Sequence, residues 1–227
     1  METTEQAVYF YNPADFDWVK TLEDNWHLIR RELENILLLP ADTKPNPYWK
    51  ASHPAYVKSD APIAWKTYGF LFFGIQQKNH CETCPETWRL LSQIPGLTGA
   101  EFSMMEPGTH ILPHKGYTRT VLRSHLAVVV PENATACALR VGDQTRHWEE
   151  GKVMVFDDSY EHEAWNKSDE RRAVLMFDIA NQAMGYTADQ ICRYKLSNVQ
   201  DPFMLGIAPA EKWMEWYEQG HFPQELA

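Results

Sequence analysis

Phe156-Asp157-Asp158-Ser159-Tyr160-Glu161-His162-Glu163 decides how this chain is read. It is a polar turn that runs into a histidine at the edge of a β-type segment. Upstream, His110-Ile111-Leu112-Pro113-His114-Lys115-Gly116 sets a second histidine, His114, in another tight polar turn. Short β-type segments punctuated by Gly142 and Gly151 lie between the two, and Arg172 follows His162 on a further β-type run. Imidazole suits Fe(II), and oxygen chemistry needs a site with open positions. The planar fork of an arginine suits a carboxylate. The order of these residues predicts a ferrous iron site with a dicarboxylate beside it.

Outward from that stretch, the texture from about residue 98 to 179 is one of many short strands: 99–105, 121–130, 136–141, 144–148, 152–156, 162–166 and 171–179. Close spacing of this kind predicts a sandwich or jelly roll. The flanks read differently. Trp18, Leu22, Trp26, Ile29, Leu33, Ile36 and Leu37 keep helical spacing over about 15–39, and Pro40 stops the helix. Residues 40–65 carry five prolines and read as a long loop, expected at a substrate rim. A buried strand is expected at 66–76 and helices at 84–94 and 209–219.

Side chains alternate faces along a strand. Arg172, Val174 and Met176 therefore share a face, as do Arg123, His125 and Ala127, and as do Ser103 and Met105 opposite Phe102 and Met104. If those faces meet, they enclose an apolar pocket with a few convergent polar groups. An inward Arg172 needs an anion, because an unpaired buried guanidinium is costly. Its bland partner would be a nearby acid such as Asp178; the histidine pair favours a bound diacid instead.

The chain resembles the aspartyl/asparaginyl β-hydroxylase family of Fe(II)- and 2-oxoglutarate-dependent oxygenases. The resembling stretches are Phe102 to His110, Pro113-His114-Lys115-Gly116, Leu122-Arg123-Ser124-His125-Leu126, Arg140-Val141-Gly142, Trp148 to Lys152, Phe156-Asp157-Asp158, Glu161-His162-Glu163 and Arg172, within about residues 10–180. The resemblance implies a double-stranded β-helix, the cupin-like jelly roll, mainly β with flanking helices. It implies that His114 and His162 ligate Fe(II) and that Arg172 clamps the far carboxylate of 2-oxoglutarate. Arg123, His125, Ser103 and Met105 would line the cosubstrate pocket. The implied reaction with O2 hydroxylates an unactivated carbon, most naturally the β-carbon of an Asp- or Asn-type amino acid or peptide residue. A halogenase, a lipid acyl-chain hydroxylase and a non-enzymatic metal-binding cupin module remain as alternatives.

Many such oxygenases carry a carboxylate ligand two residues after the first histidine; here that position is Gly116, as the resemblance also implies. Glu161 and Glu163 would point away from the His162 face, so Asp158 is expected to act one layer out, orienting an imidazole or a metal-bound water. His110 stands four residues before His114, but Pro107, Gly108 and Pro113 forbid the helix that would make them co-ligands.

The remaining features bound the reading. The chain has 227 residues with 44% hydrophobic and 13% aromatic side chains, as a folded protein does. It reads as one oxygenase domain, with a β-helix core at 98–180, N-terminal helices and loop at 10–97, and a C-terminal extension at 181–227. A net charge of −10 argues against nucleic acid as a partner. No leader-like start and no long apolar run are present, so a cytoplasmic protein without membrane insertion, acting on a small molecule or peptide, is expected. Cys81 and Cys84 form a C-x-x-C pair with no second pair, and are read as small residues near a helix start rather than a redox or zinc site. A hydrolase reading finds no nucleophile motif.

Overall fold

The computed structural model describes residues 7–38, 50, 51, 57, 58 and 64–223. In chain order its elements are β1 (Phe10–Tyr11), α1 (Trp18–Leu37), β2 (Lys50–Ala51), β3 (Val57–Lys58), β4 (Trp65–Phe72), β5 (Ile75–Gln76), α2 (Lys78–Thr83) and α3 (Pro85–Leu91). There follow β6 (Leu97–Met105), β7 (His110–His114), β8 (Val121–Val129), β9 (Cys137–Val141), β10 (Gln144–Arg146), β11 (Val153–Phe156), β12 (His162–Asn166) and β13 (Arg172–Ala180). Helices α4 (Ala188–Ser197), α5 (Pro202–Ile207) and α6 (Ala210–Gln219) complete it.

The strands form two antiparallel sheets. The larger runs β1-β11-β8-β13-β6-β4-β2, with β5 added to β4; the smaller runs β10-β9-β12-β7-β3. From β6 to β13 the chain passes back and forth between them: β6 large, β7 small, β8 large, β9 and β10 small, β11 large, β12 small, β13 large. This alternation makes the fold a jelly roll, mainly β with flanking helices. The turn from β9 to β10 is two residues, Gly142-Asp143. Gly142 sits at φ +58, and a Cβ there would meet the Tyr9 ring at 2.3 Å. Only glycine suits that hairpin.

Two apolar clusters confirm the alternation of faces. Phe102, Met104, Leu122, Leu126, Val128, Ala173, Leu175 and Phe177 face α1 and α3, where they bury Leu22, Ile29, Leu33 and Leu91. Met105, Ala127, Val174 and the partly buried Met176 face the smaller sheet, where they meet Ile111, Leu139, Val141 and Ala164. Ile29 and Leu33 are wholly buried, each contributing roughly 2 kcal/mol by transfer from water. The buried carboxylate of Glu32 on α1 accepts the backbone N–H groups of Glu86 and Thr87 at 2.9 and 2.8 Å. It thereby satisfies two of the orphan donors that open α3 and ties the two helices together.

Several expectations change. The strand expected over 66–76 breaks at Phe73-Gly74, whose φ angles are +44 and +79, and returns as a hairpin. The helix expected at 84–94 ends sooner, at Leu91, and α2 precedes it; the polar sequence of α2 gives no apolar period to announce it. His114 lies not in a turn but at the end of β7, and His162 opens β12. Helices α4 and α5 were not anticipated. Cys81 and Cys84 are free and buried, with burial pushing the Cys81 thiol up to about 11. The rim expected at 40–65 lies almost wholly outside the described residues.

Candidate metal and cosubstrate site

Strands β7 and β12 are antiparallel neighbours, and their register pairs His162 with His114. The two imidazoles stand 4.2 Å apart between ring centres. Each Nδ1 lies against a backbone carbonyl, His114 on Leu112 at 2.7 Å and His162 on Tyr160 at 3.0 Å. With Nδ1–H as the donor, the lone pair of each ring is on Nε2. Burial lowers the pKa of both rings, to about 3 for His162, where the neighbouring His114 adds to the effect. Both imidazoles are therefore neutral at pH 7, which is the state that binds a metal.

Asp158 stands beside them, 1% exposed. Its backbone carbonyl accepts the Gly116 N–H at 2.7 Å. A Cβ on Gly116 would lie 2.3 Å from Asp158 Oδ2, so this carboxylate fills the space that a side chain at 116 would need. The Asp158 carboxyl is raised to about 6 by burial, against the pull of Arg123 at 3.2 Å. Among the described residues no three His, Cys, Asp or Glu side chains converge on one point.

Arg172 and Asp178 do not pair. Asp178 holds Arg123 through two parallel bonds of 2.8 Å, from Nε and from one terminal nitrogen. Arg172 is 1% exposed and pairs with no carboxylate among the described residues. One terminal nitrogen donates to the Ser103 carbonyl at 3.1 Å, another reaches the Met105 sulfur, and the guanidinium lies 4.5 Å from the Trp148 ring centre. Its Nε has no hydrogen-bond partner among the described residues. Burial brings its pKa down to about 10, still protonated at neutral pH. Trp148 donates its indole N–H to His125 Nδ1 at 3.3 Å, which leaves the proton of His125 on Nε2, a second buried donor without an acceptor among the described residues. Ser103 Oγ takes the indole N–H of Trp65 at 3.0 Å. Two orphan donors and an uncompensated cation in one interior are what an anionic ligand would satisfy, since each unmet buried group costs about 1–3 kcal/mol.

A cavity of about 300 Å³ opens next to this set. His114, Arg123 and Asp158 line it; Arg172, His162, His125, Ser103 and Met105 do not. Glu101, Asp178, Trp65 and Thr67 also line it and were not expected from the sequence. Alternation along β6, β13 and β4 puts them on strands already singled out, and that was the signal available. Burial raises the Glu101 carboxyl to about 7. Glu161 and Glu163 point away as expected: Glu163 binds Arg140 and His110 at 2.6 Å each, and Glu161 binds Arg140 at 3.1 Å, which removes His110 from the metal question.

The histidines have a consequence for pH. Burial, then the charges of Arg172 and Arg123, hold His125 neutral well below its usual range. In the unfolded chain it protonates near pH 6.5. Below that pH the unfolded state binds the extra proton, so the fold loses stability as pH falls. His162 adds to the same slope down to about pH 3. Glu101 and Asp158, raised to about 7 and about 6, bind protons in the fold before the unfolded chain does and pull the opposite way between pH 7 and pH 5. The His125 contribution is therefore read by difference: His125→Gln should raise the melting temperature of the metal-free protein at pH 5 relative to pH 7, compared with wild type, and an unchanged pH 5-to-7 difference would remove the His125 assignment.

The residues fit a metal held by two neutral imidazoles and a diacid held by a buried arginine, within a jelly roll. A family model described as aspartyl/asparaginyl β-hydroxylase matches residues 23–182. This chain belongs to that family. It is 41% identical over 168 residues to the ornithine lipid ester-linked acyl 2-hydroxylase of Rhizobium tropici, covering 74% of this chain and 59% of that protein. It is 36% identical over 166 residues to the aspartyl/asparaginyl β-hydroxylase of Homo sapiens, covering 71% of this chain and 21% of that protein. A mouse protein, aspartate β-hydroxylase domain-containing protein 2, is 32% identical over 180 residues, covering 75% of this chain and 50% of its own length. The chain thus spans from about a fifth to about three fifths of these relatives.

Proposed function

We propose that this protein is an Fe(II)- and 2-oxoglutarate-dependent hydroxylase acting on a CH2 group next to a carbonyl. The observation that carries this reading is the juxtaposed pair of neutral imidazoles with a buried Arg172 that pairs with no carboxylate among the described residues. Bound iron and 2-oxoglutarate would activate O2 and deliver one oxygen atom to carbon, with succinate and CO2 as the other products. The chain's own part is to hold and orient. His114 and His162 present Nε2 to the metal, their rings fixed by the backbone carbonyls of Leu112 and Tyr160. Arg172 takes the far carboxylate, and His125 Nε2–H offers it or its neighbour a second donor. Trp148 closes the interior around both and keeps water out. Asp158 stays close to the imidazoles and orients a water there.

The two activities named for the relatives share one geometry. Position 2 of an ester-linked acyl chain and the β-carbon of an Asp or Asn residue are both methylenes beside a carbonyl. The cavity separates them. Its apolar wall includes Leu71, Phe72, Phe73, Met204 and Trp213, beside polar groups such as Arg123, Glu101, Asp158 and Asp178. That lining favours an acyl chain over the Asp- or Asn-type residue expected from the sequence. Hydroxylation is favoured over halogenation because the family model and the relatives it matches are named for hydroxylation.

The test is iron-dependent release of succinate from 2-oxoglutarate with a panel of acyl esters, acyl amides and Asp/Asn peptides. Product mass decides the rest: a gain of one oxygen is expected, and a chlorinated product or no iron-dependent succinate with any member would overturn the reading.

A further inference from the structure

We infer that the C-terminal helices α5 and α6 are the selectivity wall of the substrate cavity, and that Phe203, Met204 and Ile207 set how long an apolar chain the enzyme accepts. This rests on the hydroxylase reading above and locates its substrate subsite. The helices lie beyond residue 182, where the match to the family model ends.

The geometry points there in three ways. First, the cavity is lined by His114, Arg123 and Asp158 and also by Phe203, Met204, Ile207, Trp213 and Phe222. A molecule that fills it must therefore touch the metal side and α5 at once. Its volume of about 300 Å³ sits at the small end of ligand pockets, enough for a slender chain but not for a folded peptide loop. Second, the wall is braced. Met204, Trp213, Trp216, Phe222, Leu196 and Ile75 form an apolar cluster of their own, separate from the clusters that pack the sheets. A substitution on its cavity side therefore changes the pocket without disturbing the histidines. Third, Phe203 and Ile207 line the cavity yet are 41% and 40% exposed, while Met204 is 1% exposed. Phe203 and Ile207 stand four residues apart and so share one face of α5, at the cavity's mouth. Met204 lies deeper. Asp201, whose side chain accepts the Phe203 N–H at 2.9 Å, caps α5 and fixes that face. The chemistry recognised is a linear alkyl or acyl chain, whether from a free fatty acid or from an ester- or amide-linked acyl group.

Binding measured without iron tests this apart from turnover. Metal-free protein is titrated with cis-parinarate, a polyene fatty acid excited through the protein's tryptophans. It is then displaced by octanoate, dodecanoate, N-dodecanoylglycine and glycerol monododecanoate, the last three distinguishing free, amide-linked and ester-linked chains. The twelve-carbon compounds should displace the probe better than octanoate. Ile207→Trp should weaken dodecanoate on the order of tenfold, the equivalent of about two buried methylenes, and leave octanoate within about twofold. Met204→Ala should shift the preference toward longer chains. His162→Ala should bind the chains as wild type does. Far-ultraviolet circular dichroism checks that each variant is folded, and Phe203→Trp replaces any that is not. Failure of every twelve-carbon compound to displace the probe overturns the inference, as does a chain-length profile that Ile207→Trp and Phe203→Trp both leave unchanged. Chain binding without succinate release under any condition would sink the hydroxylase reading and leave the chain subsite standing. Succinate release with Asp/Asn peptides, without chain binding, would do the reverse.

Discussion

Replacing Arg172 by Met is expected to raise the KM for 2-oxoglutarate by about 100-fold or more while leaving the metal-free protein at least as stable as wild type. The first half follows from the cost of stripping one partner from a buried, hydrogen-bonded charge pair, about 2–5 kcal/mol. The second half follows from what Arg172 lacks. A structural arginine that is paired with a carboxylate strands that carboxylate when removed, and the fold suffers. Arg172 strands no carboxylate among the described residues. It gives up one bond to the Ser103 carbonyl, the contact with the Met105 sulfur and its place over Trp148. In return, a desolvated cation leaves the interior, and Met fills much of the same volume. Melting temperature and the 2-oxoglutarate dependence of succinate release, measured on the same variant, separate the cases. A large fall in melting temperature with an unchanged KM would make Arg172 a structural residue. Arg172→Lys should lie between, since it keeps the charge and loses the fork.

His162→Ala should lower iron-dependent turnover by more than the roughly 10–100-fold that loss of an outer partner costs, because a ligand itself is removed. Metal binding, followed by calorimetry with a redox-inert divalent surrogate, should weaken with it. The fold should survive: the ring's hydrogen bond is to the Tyr160 carbonyl two residues away, and the β12 register with β7 and β9 is carried by backbone. Turnover within a few-fold of wild type would remove His162 from the metal.

The sequence shows the jelly roll because period-2 alternation survives in it. Arg123, His125 and Ala127, set against Leu122, Leu126 and Val128, could be sorted to two faces before any coordinates, and the two apolar clusters divide along that line. The histidines and Arg172 were legible for the same reason: polar residues on an otherwise apolar face are few. Partner choice was not legible. Nothing in the order of residues says that Asp178 goes to Arg123, because that depends on the β13–β8 register, which sets Asp178 opposite Arg123. The role of Asp158 at Gly116 depends likewise on a loop-to-loop contact. Helix α5 escaped partly because it has only six residues, whereas α4 is as long as α6. Exposed Tyr194, Phe203, Leu205 and Ile207 blur the apolar period of α4 and α5 that would have marked them.

Phe73 holds a left-handed backbone, φ +44, beside Gly74 in the β4–β5 hairpin. For a side-chained residue that conformation costs roughly 1–2 kcal/mol, and a glycine or asparagine would make the same bend more cheaply. The aromatic ring sits edge-on to Phe72 at 4.8 Å and forms part of the cavity lining. The strained backbone is thus tolerated for the ring it positions. A variant chosen only for thermal robustness would relax that bend and, in the same stroke, open the floor of the pocket, so in this hairpin rigidity and selectivity pull in opposite directions.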